Sequence, residues 1–130
     1  MMPSSGPTYY CWSCYGRNDH ASGPCDHCGD EIEPPADADL TTRLVWGIRH
    51  PNPDVALMSV RRLPMVGDSS AIPALRAAVI DPPDPYVAAA ALKSLLSLSS
   101  VAEEEELLRS SVSTGPPLVA SIAREALKNM

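Results

Sequence analysis

Cys11, Cys14, Cys25 and Cys28 are the residues whose type and spacing bear most directly on chemistry, two Cys-x2-Cys pairs separated by ten residues. Each short loop can aim two thiolates at one point, and the stretch between them is long enough for a hairpin to close both pairs around one tetrahedral zinc ion. Four thiolates complete that shell and leave no position for water or substrate, so the zinc expected here is structural. His20 and His27 are alternative ligands in place of a cysteine. The competing chemistry is a redox dithiol, in which Cys-x2-Cys opens a helix of an α/β fold, and the surrounding sequence supplies no such fold. A module of about 20 residues cannot bury a core, so the metal must supply most of its folding free energy, on the order of 10 kcal/mol.

The elements that must hold these cysteines are short. A leader over residues 1–8 has two Ser, three Pro or Gly and nothing to bury, and reads as flexible. Order is expected from Tyr9, with a zinc ribbon over 9–30 and a Pro-rich acidic linker over 31–38, where Pro34-Pro35 stiffens the chain and stops a helix. The run Tyr10-Cys11-x2-Cys14-x3-Asn18-x6-Cys25-x2-Cys28-Gly29 resembles the short zinc ribbons that prokaryotic proteins carry at a terminus, except that Tyr15 stands where Gly usually follows the first pair. The spacing is also similar to zinc fingers of the Ran-binding-protein type, which bind single-stranded RNA or ubiquitin. This chain has Asp19, Ala21 and Ser22 where the RNA-reading version has an aromatic and basic residues, and Tyr15-Gly16 where the ubiquitin-binding version has Thr and an apolar residue.

Residues 39–130 carry a different signal. An offset of 32 superposes Pro53 on Pro85 and Pro117, Val55 on Val87 and Val119, and Leu63 on Leu95 and Leu127. The same offset brings Ile48 onto Ile80 and Val112, so two apolar patterns share one period and each repeat holds two helices. Asn52 to Pro83 is one full copy. Asp39 can cap a helix burying Leu40, Leu44 and Ile48, with Trp46 off that stripe and available to a partner. Asn52-Pro53 and Asp84-Pro85 each read as a cap followed by Pro at the first helical position. Pro64 should end or kink its helix near Leu63. After a turn at Gly67-Asp68 the next helix should start near Ser69 and face Ile72, Leu75, Val79 and Ile80 inward. Glu103 to Glu106 would occupy a first turn at the positive end of the helix dipole, mostly solvated, or form an acidic docking patch. Leu107, Leu108 and Val112 complete that helix, Gly115-Pro116 breaks it, and a last helix runs from Pro117.

The fold expected is all-α, six helices in three antiparallel hairpins preceded by a small zinc ribbon. The pattern Asn-Pro-Asp-Val, Gly-Asp-x3-Ile-Pro-x-Leu, Asp-Pro-x-Val resembles short HEAT repeats of bacterial phycobilin lyases and bacterial adaptor proteins, over residues 40–130. That resemblance implies a repeat surface for docking other proteins. In the last helix Val119, Ile122 and Met130 belong to an apolar arc wider than one stripe, a candidate site for a protein partner or a second copy of the chain.

Charge sorts the partners. Of the net −6, residues 1–36 carry one Arg against five acids, and the rest of the chain nine bases against eleven acids. Nucleic-acid binders neutralise phosphates with basic patches, so a non-enzymatic adaptor for proteins, using Trp12 and Trp46 among its contacts, is expected ahead of the alternative. That alternative is a nucleic-acid-binding module using Tyr9, Tyr10, Trp12 and Arg17 of the ribbon. The start of the chain lacks a secretory pattern, and the apolar run Val87 to Leu98 is interrupted by Lys93 and shorter than the about 20 residues a membrane span needs. A cytoplasmic protein without a membrane segment is expected, in a compartment where paired cysteines hold metal rather than form disulfides.

Overall fold

The computed structural model describes residues 7–129. Residues 1–6 of the expected leader, and Met130, lie outside them. The chain divides into two compact units, Met1–Asp39 and Leu40–Met130.

In the first unit, strands β1 (Tyr9–Tyr10) and β2 (Arg17–Asn18) pair antiparallel, Tyr9 opposite Asn18 and Tyr10 opposite Arg17. An isolated bridge joins Pro24 to Glu31. The core is minimal, Cys11, Cys25 and Ile32 with Tyr9 against them. Ile32 therefore belongs to the cysteine module although the sequence placed it in a linker. Its carbonyl accepts the Trp12 N–H at 2.9 Å and its own N–H donates to the Gly23 carbonyl at 3.0 Å.

The second unit holds α1 (Leu40–Gly47), α2 (Pro53–Val66), α3 (Ile72–Ile80), α4 (Pro85–Leu98), α5 (Glu105–Thr114) and α6 (Pro117–Lys128), with a 3₁₀ turn at Ser69–Ala71 before α3. The starts are chemically fixed. Asn52 Oδ1 accepts the Asp54 N–H at 2.9 Å, Asp68 Oδ1 the Ser70 N–H at 2.9 Å and Asp84 Oδ1 the Val87 N–H at 2.8 Å, each satisfying a donor the helix itself leaves unpaired. α2, α4 and α6 stack in series, while α1 packs on α2, α3 on α4 and α5 on α6. The hairpins are thus α1–α2, α3–α4 and α5–α6, closed by the proline-bearing links. The copy read from Asn52 to Pro83 instead spans halves of two hairpins.

Small residues set the close packing of α4, whose Ala88, Ala91, Leu92 and Leu95 are wholly buried. At Gly47 an added Cβ would stand 2.0 Å from Ser59 Oγ and 2.9 Å from its Cβ, so α1 and α2 touch where only glycine fits.

Four expectations need correction. Pro64 does not end α2, which continues to Val66 and closes on Gly67 with φ 75°. Pro64 has no N–H to give the Val60 carbonyl, and the Ser94 hydroxyl of α4 donates to that carbonyl instead, at 2.9 Å in a buried setting. Ile80 is 72% exposed, because Val79 takes the inward position at the end of α3. Leu40 is 58% exposed, and buried Thr41 faces inward in its place, with a hydrogen bond to Asp68. Glu104 is buried rather than solvated, held by Arg76 from α3 through Nε–Oε1 at 2.8 Å and Nη2–Oε2 at 2.7 Å, with the Ser99 hydroxyl donating at 2.7 Å. The acidic run is therefore not one patch.

Candidate metal centre

Each Cys-x2-Cys pair turns in the same way. The Tyr15 N–H donates to the Cys11 carbonyl at 2.9 Å and the Gly29 N–H to the Cys25 carbonyl at 3.0 Å. The turn demands a left-handed residue after the second cysteine. Gly29 supplies it with φ 80° in the second pair and Tyr15 with φ 61° in the first, which costs a side chain on the order of 1 kcal/mol. Gly16 follows because an added Cβ would lie 2.6 Å from the His27 ring and 3.0 Å from Cys14 Sγ.

These turns bring Cys11, Cys14, Cys25 and Cys28 together, all four sulfurs within 4.8 Å of one another. Cys11 Sγ to Cys28 Sγ and Cys14 Sγ to Cys25 Sγ are both 3.7 Å, and all four cysteines are free of disulfides. Four thiolates around a tetrahedral ion with metal–sulfur bonds of about 2.3 Å would be about 3.8 Å apart. The donor set therefore fits a four-thiolate metal, and no histidine is needed. His20 contacts Asp19 Oδ1 through Nδ1 and the Pro24 carbonyl through Nε2, each at 3.0 Å, and His27 Nε2 contacts the Arg17 carbonyl at 2.8 Å.

Backbone donors are aimed at the sulfurs as negative charge there requires. The N–H groups of Ser13, Gly16 and His27 lie 3.3 Å from the sulfurs of Cys11, Cys14 and Cys25 in turn. Asn18, 5% exposed, braces both pairs: its amide donates to the Gly16 carbonyl at 3.2 Å and to Cys25 Sγ at 3.5 Å, while its Oδ1 accepts the Asp26 N–H at 2.9 Å. The sequence marked Asn18 only as a motif position. A buried side chain needing three partners, midway between the pairs, is the signal of its bracing role.

The thiols do not ionise alike. Burial pushes the Cys25 thiol up, but the Asn18 amide and the N–H groups of Cys28 and His27 outweigh it and bring it down to about 6. At Cys28 the Asp30 N–H favours the thiolate, yet burial and the neighbouring cysteines prevail and it is pushed up to about 12. Cys14 is also raised, burial and the Cys25 and Cys11 sulfurs overcoming the help of the Gly16 N–H. Crowded sulfurs resist successive negative charges, and a cation among them removes that resistance.

The other residues singled out in the sequence are dispersed. Trp12 is half-buried and lines a groove with Asp30, Glu31, Glu33, Pro34 and Pro35 on the first unit. Trp46 is half-buried and meets the His50 ring edge-to-face, centroids 5.3 Å apart. Val119, placed on a docking arc by its spacing, is a core residue at 1% exposure, whereas Ile122 is half-buried and Leu118 is 44% exposed. Among the described residues no helix is long and apolar enough to cross a membrane.

Comparison with curated proteins and with solved structures yields no match. A family model does match: residues 41–128 fit HEAT repeats. The match spans the whole six-helix unit, about two thirds of the chain, and agrees with its stacked α2, α4 and α6. The chain belongs to the HEAT-repeat family.

Proposed function

We propose that the protein is a non-enzymatic adaptor that docks other proteins through its helical repeat, with a zinc ribbon as a second, structural module. The observation that carries this reading is the HEAT match over residues 41–128, since stacked helical hairpins present extended surfaces that suit protein docking. Met65, Ile80, Tyr86 and Leu118 expose apolar side chains on that unit. Zinc is the metal favoured by four thiolates at tetrahedral spacing, and when bound it supplies the folding energy that a core of Cys11, Cys25 and Ile32 lacks. A shell filled by four protein ligands offers no open position to a substrate, which supports a non-catalytic role. Metal-bound rather than disulfide-bonded cysteines suit a reducing compartment, and the reading includes a cytoplasmic setting and kinship with short bacterial HEAT adaptors.

A nucleic-acid-binding ribbon has one observation in its favour, the cross-strand pairing of Tyr10 with Arg17. Seven acids against that single base over residues 1–39 weigh against it.

The test is capture of partners from the source cell, then sedimentation of the purified, zinc-loaded chain alone and with each recovered protein. The expected result is a defined complex weakened by Ile80→Lys or Leu118→Lys, or self-association weakened by the same changes. A chain that stays monomeric with every recovered protein, yet shifts a single-stranded oligonucleotide in a gel until Trp12→Ala abolishes the shift, overturns the reading.

A further inference from the structure

Charge in this chain is segregated by unit. Residues 1–39 hold seven acids and one base, Arg17, whereas residues 40–130 hold nine of each, so the whole net charge of −6 falls on the cysteine module. Four thiolates around a divalent ion would make it more negative still. Part of this charge lines a built feature. A groove of about 570 Å³ is lined by Trp12 of the first cysteine loop and by Asp30, Glu31, Glu33 and Pro34-Pro35 of the segment that follows the second. The Trp12 N–H to Ile32 carbonyl bond holds the two segments in register, with the Ile32 side chain buried. Glu31 Oε1 accepts the Gly23 N–H at 2.8 Å, which fixes one carboxylate. Among the described residues none of the three carboxylates has a cationic partner of the kind that Asp19, Glu104 and Glu105 have in His20, Arg76 and Arg109.

We propose that this groove receives an extended arginine- or lysine-bearing segment of a partner protein. The inference rests on the adaptor reading above and names the chemistry of one partner. An indole and carboxylates lining one groove suit a cation, which gains from the aromatic ring and from the nearby negative charge together. A guanidinium suits it best, because its planar fork can stack on an indole while its N–H groups reach carboxylates. The two prolines keep the acidic segment extended before binding, which lowers the ordering cost. The surrounding negative field draws a basic segment in and repels nucleic acid.

The experiment uses the zinc-loaded full chain, ¹⁵N-labelled, titrated with a capped peptide of alternating arginine and glycine and with its glutamate counterpart. The chain has two tryptophans, so two indole resonances report separately on Trp12 and Trp46. The expected result is a saturable shift of the Trp12 indole with the arginine peptide alone, weakened several-fold between about 0.05 and 0.3 M salt. Asp30→Asn with Glu33→Gln should weaken binding at least about tenfold, while Asp19→Asn with Asp26→Asn, which changes net charge equally, should weaken it less than about threefold. Zinc content checks that each variant has folded, and Glu33→Gln alone serves if the double variant loses metal. No saturable shift, equal weakening by the two double variants, or an equal shift with the glutamate peptide overturns the inference. If a partner is still captured after any of those results, the inference falls and the adaptor reading stands; peptide binding with no partner at all has the reverse meaning.

Discussion

Ser94→Ala should destabilise the helical unit through a backbone atom on another helix. Pro64 leaves the Val60 carbonyl without its intrahelical donor, and the Ser94 hydroxyl fills the vacancy at 2.9 Å. Val60 is 0% and Ser94 5% exposed, so water cannot readily replace the lost donor. An unsatisfied buried acceptor costs about 1–3 kcal/mol. For a cooperative unit of this size about 2 kcal/mol corresponds to a fall in Tm of roughly 8–16 °C. Pro64→Ala provides the control, because an alanine at that position restores an N–H able to reach the same carbonyl. In that background Ser94→Ala should cost only an ordinary net hydrogen bond, about 1 kcal/mol or less. Urea denaturation of the four members of this cycle, followed by far-ultraviolet circular dichroism, measures the coupling, expected at about 1 kcal/mol or more. Equal costs in the two backgrounds would refute the argument that serine substitutes for the missing amide.

Cys25→Ser should release the metal, lowering zinc from about one ion per chain to near zero by elemental analysis while the thermal transition of the helical unit stays in place. Gly47→Ala should destabilise the helical unit by about 1–3 kcal/mol, since the added methyl meets buried Ser59 at 2.0 Å; an unchanged urea midpoint would contradict that packing. Glu104→Gln should cost roughly 1–3 kcal/mol at neutral pH by breaking a bidentate pair with Arg76. The pH dependence has a fixed sign. The Arg76 guanidinium, opposed by burial and helped by the Ser99 hydroxyl, holds the Glu104 carboxyl below the usual range. Its contribution is therefore fully present above the unfolded carboxylate pKa and lost as pH falls through the lower folded value. The stability gap between wild type and Glu104→Gln should be flat from pH 7 to about 5 and shrink below it.

What the sequence made legible was local chemistry. Asn52-Pro53 and Asp84-Pro85 specify helix starts within four residues, and the structure places α2 and α4 on them. Two Cys-x2-Cys loops specify their own turns, and the four sulfurs converge. The period of 32 was also legible, but a translational repeat leaves its phase open. Superposing Leu63 on Leu95 holds equally well whether α3 pairs back onto α2 or forward onto α4. The links decide: Asp81 to Asp84 is a tight, proline-stiffened connection that folds α4 back on α3, whereas α2 and α3 are separated by Gly67, Asp68 and a 3₁₀ turn.

The misreadings share one physical origin, which is that periodicity weighs a residue against its own helix while burial is settled by partners elsewhere in the chain. Glu104 in an acidic run looks solvated until Arg76, 28 residues earlier, presents a guanidinium to it. Pro64 looks like a terminator until Ser94 supplies a donor from 34 residues away. A third contact of this range, for which the sequence carries no sign, is made by Arg49, whose guanidinium donates to the carbonyls of Asp81 and Ala77 at the end of α3, where a cation offsets the negative helix end. Each of these contacts spans about one repeat, so all three tie successive hairpins together. In a repeat protein the inter-repeat interface is where stability is added beyond the single unit. Arg49, Ser94 and the Arg76–Glu104 pair are polar members of those interfaces, so replacing them should loosen neighbouring hairpins from one another before it unfolds any single helix.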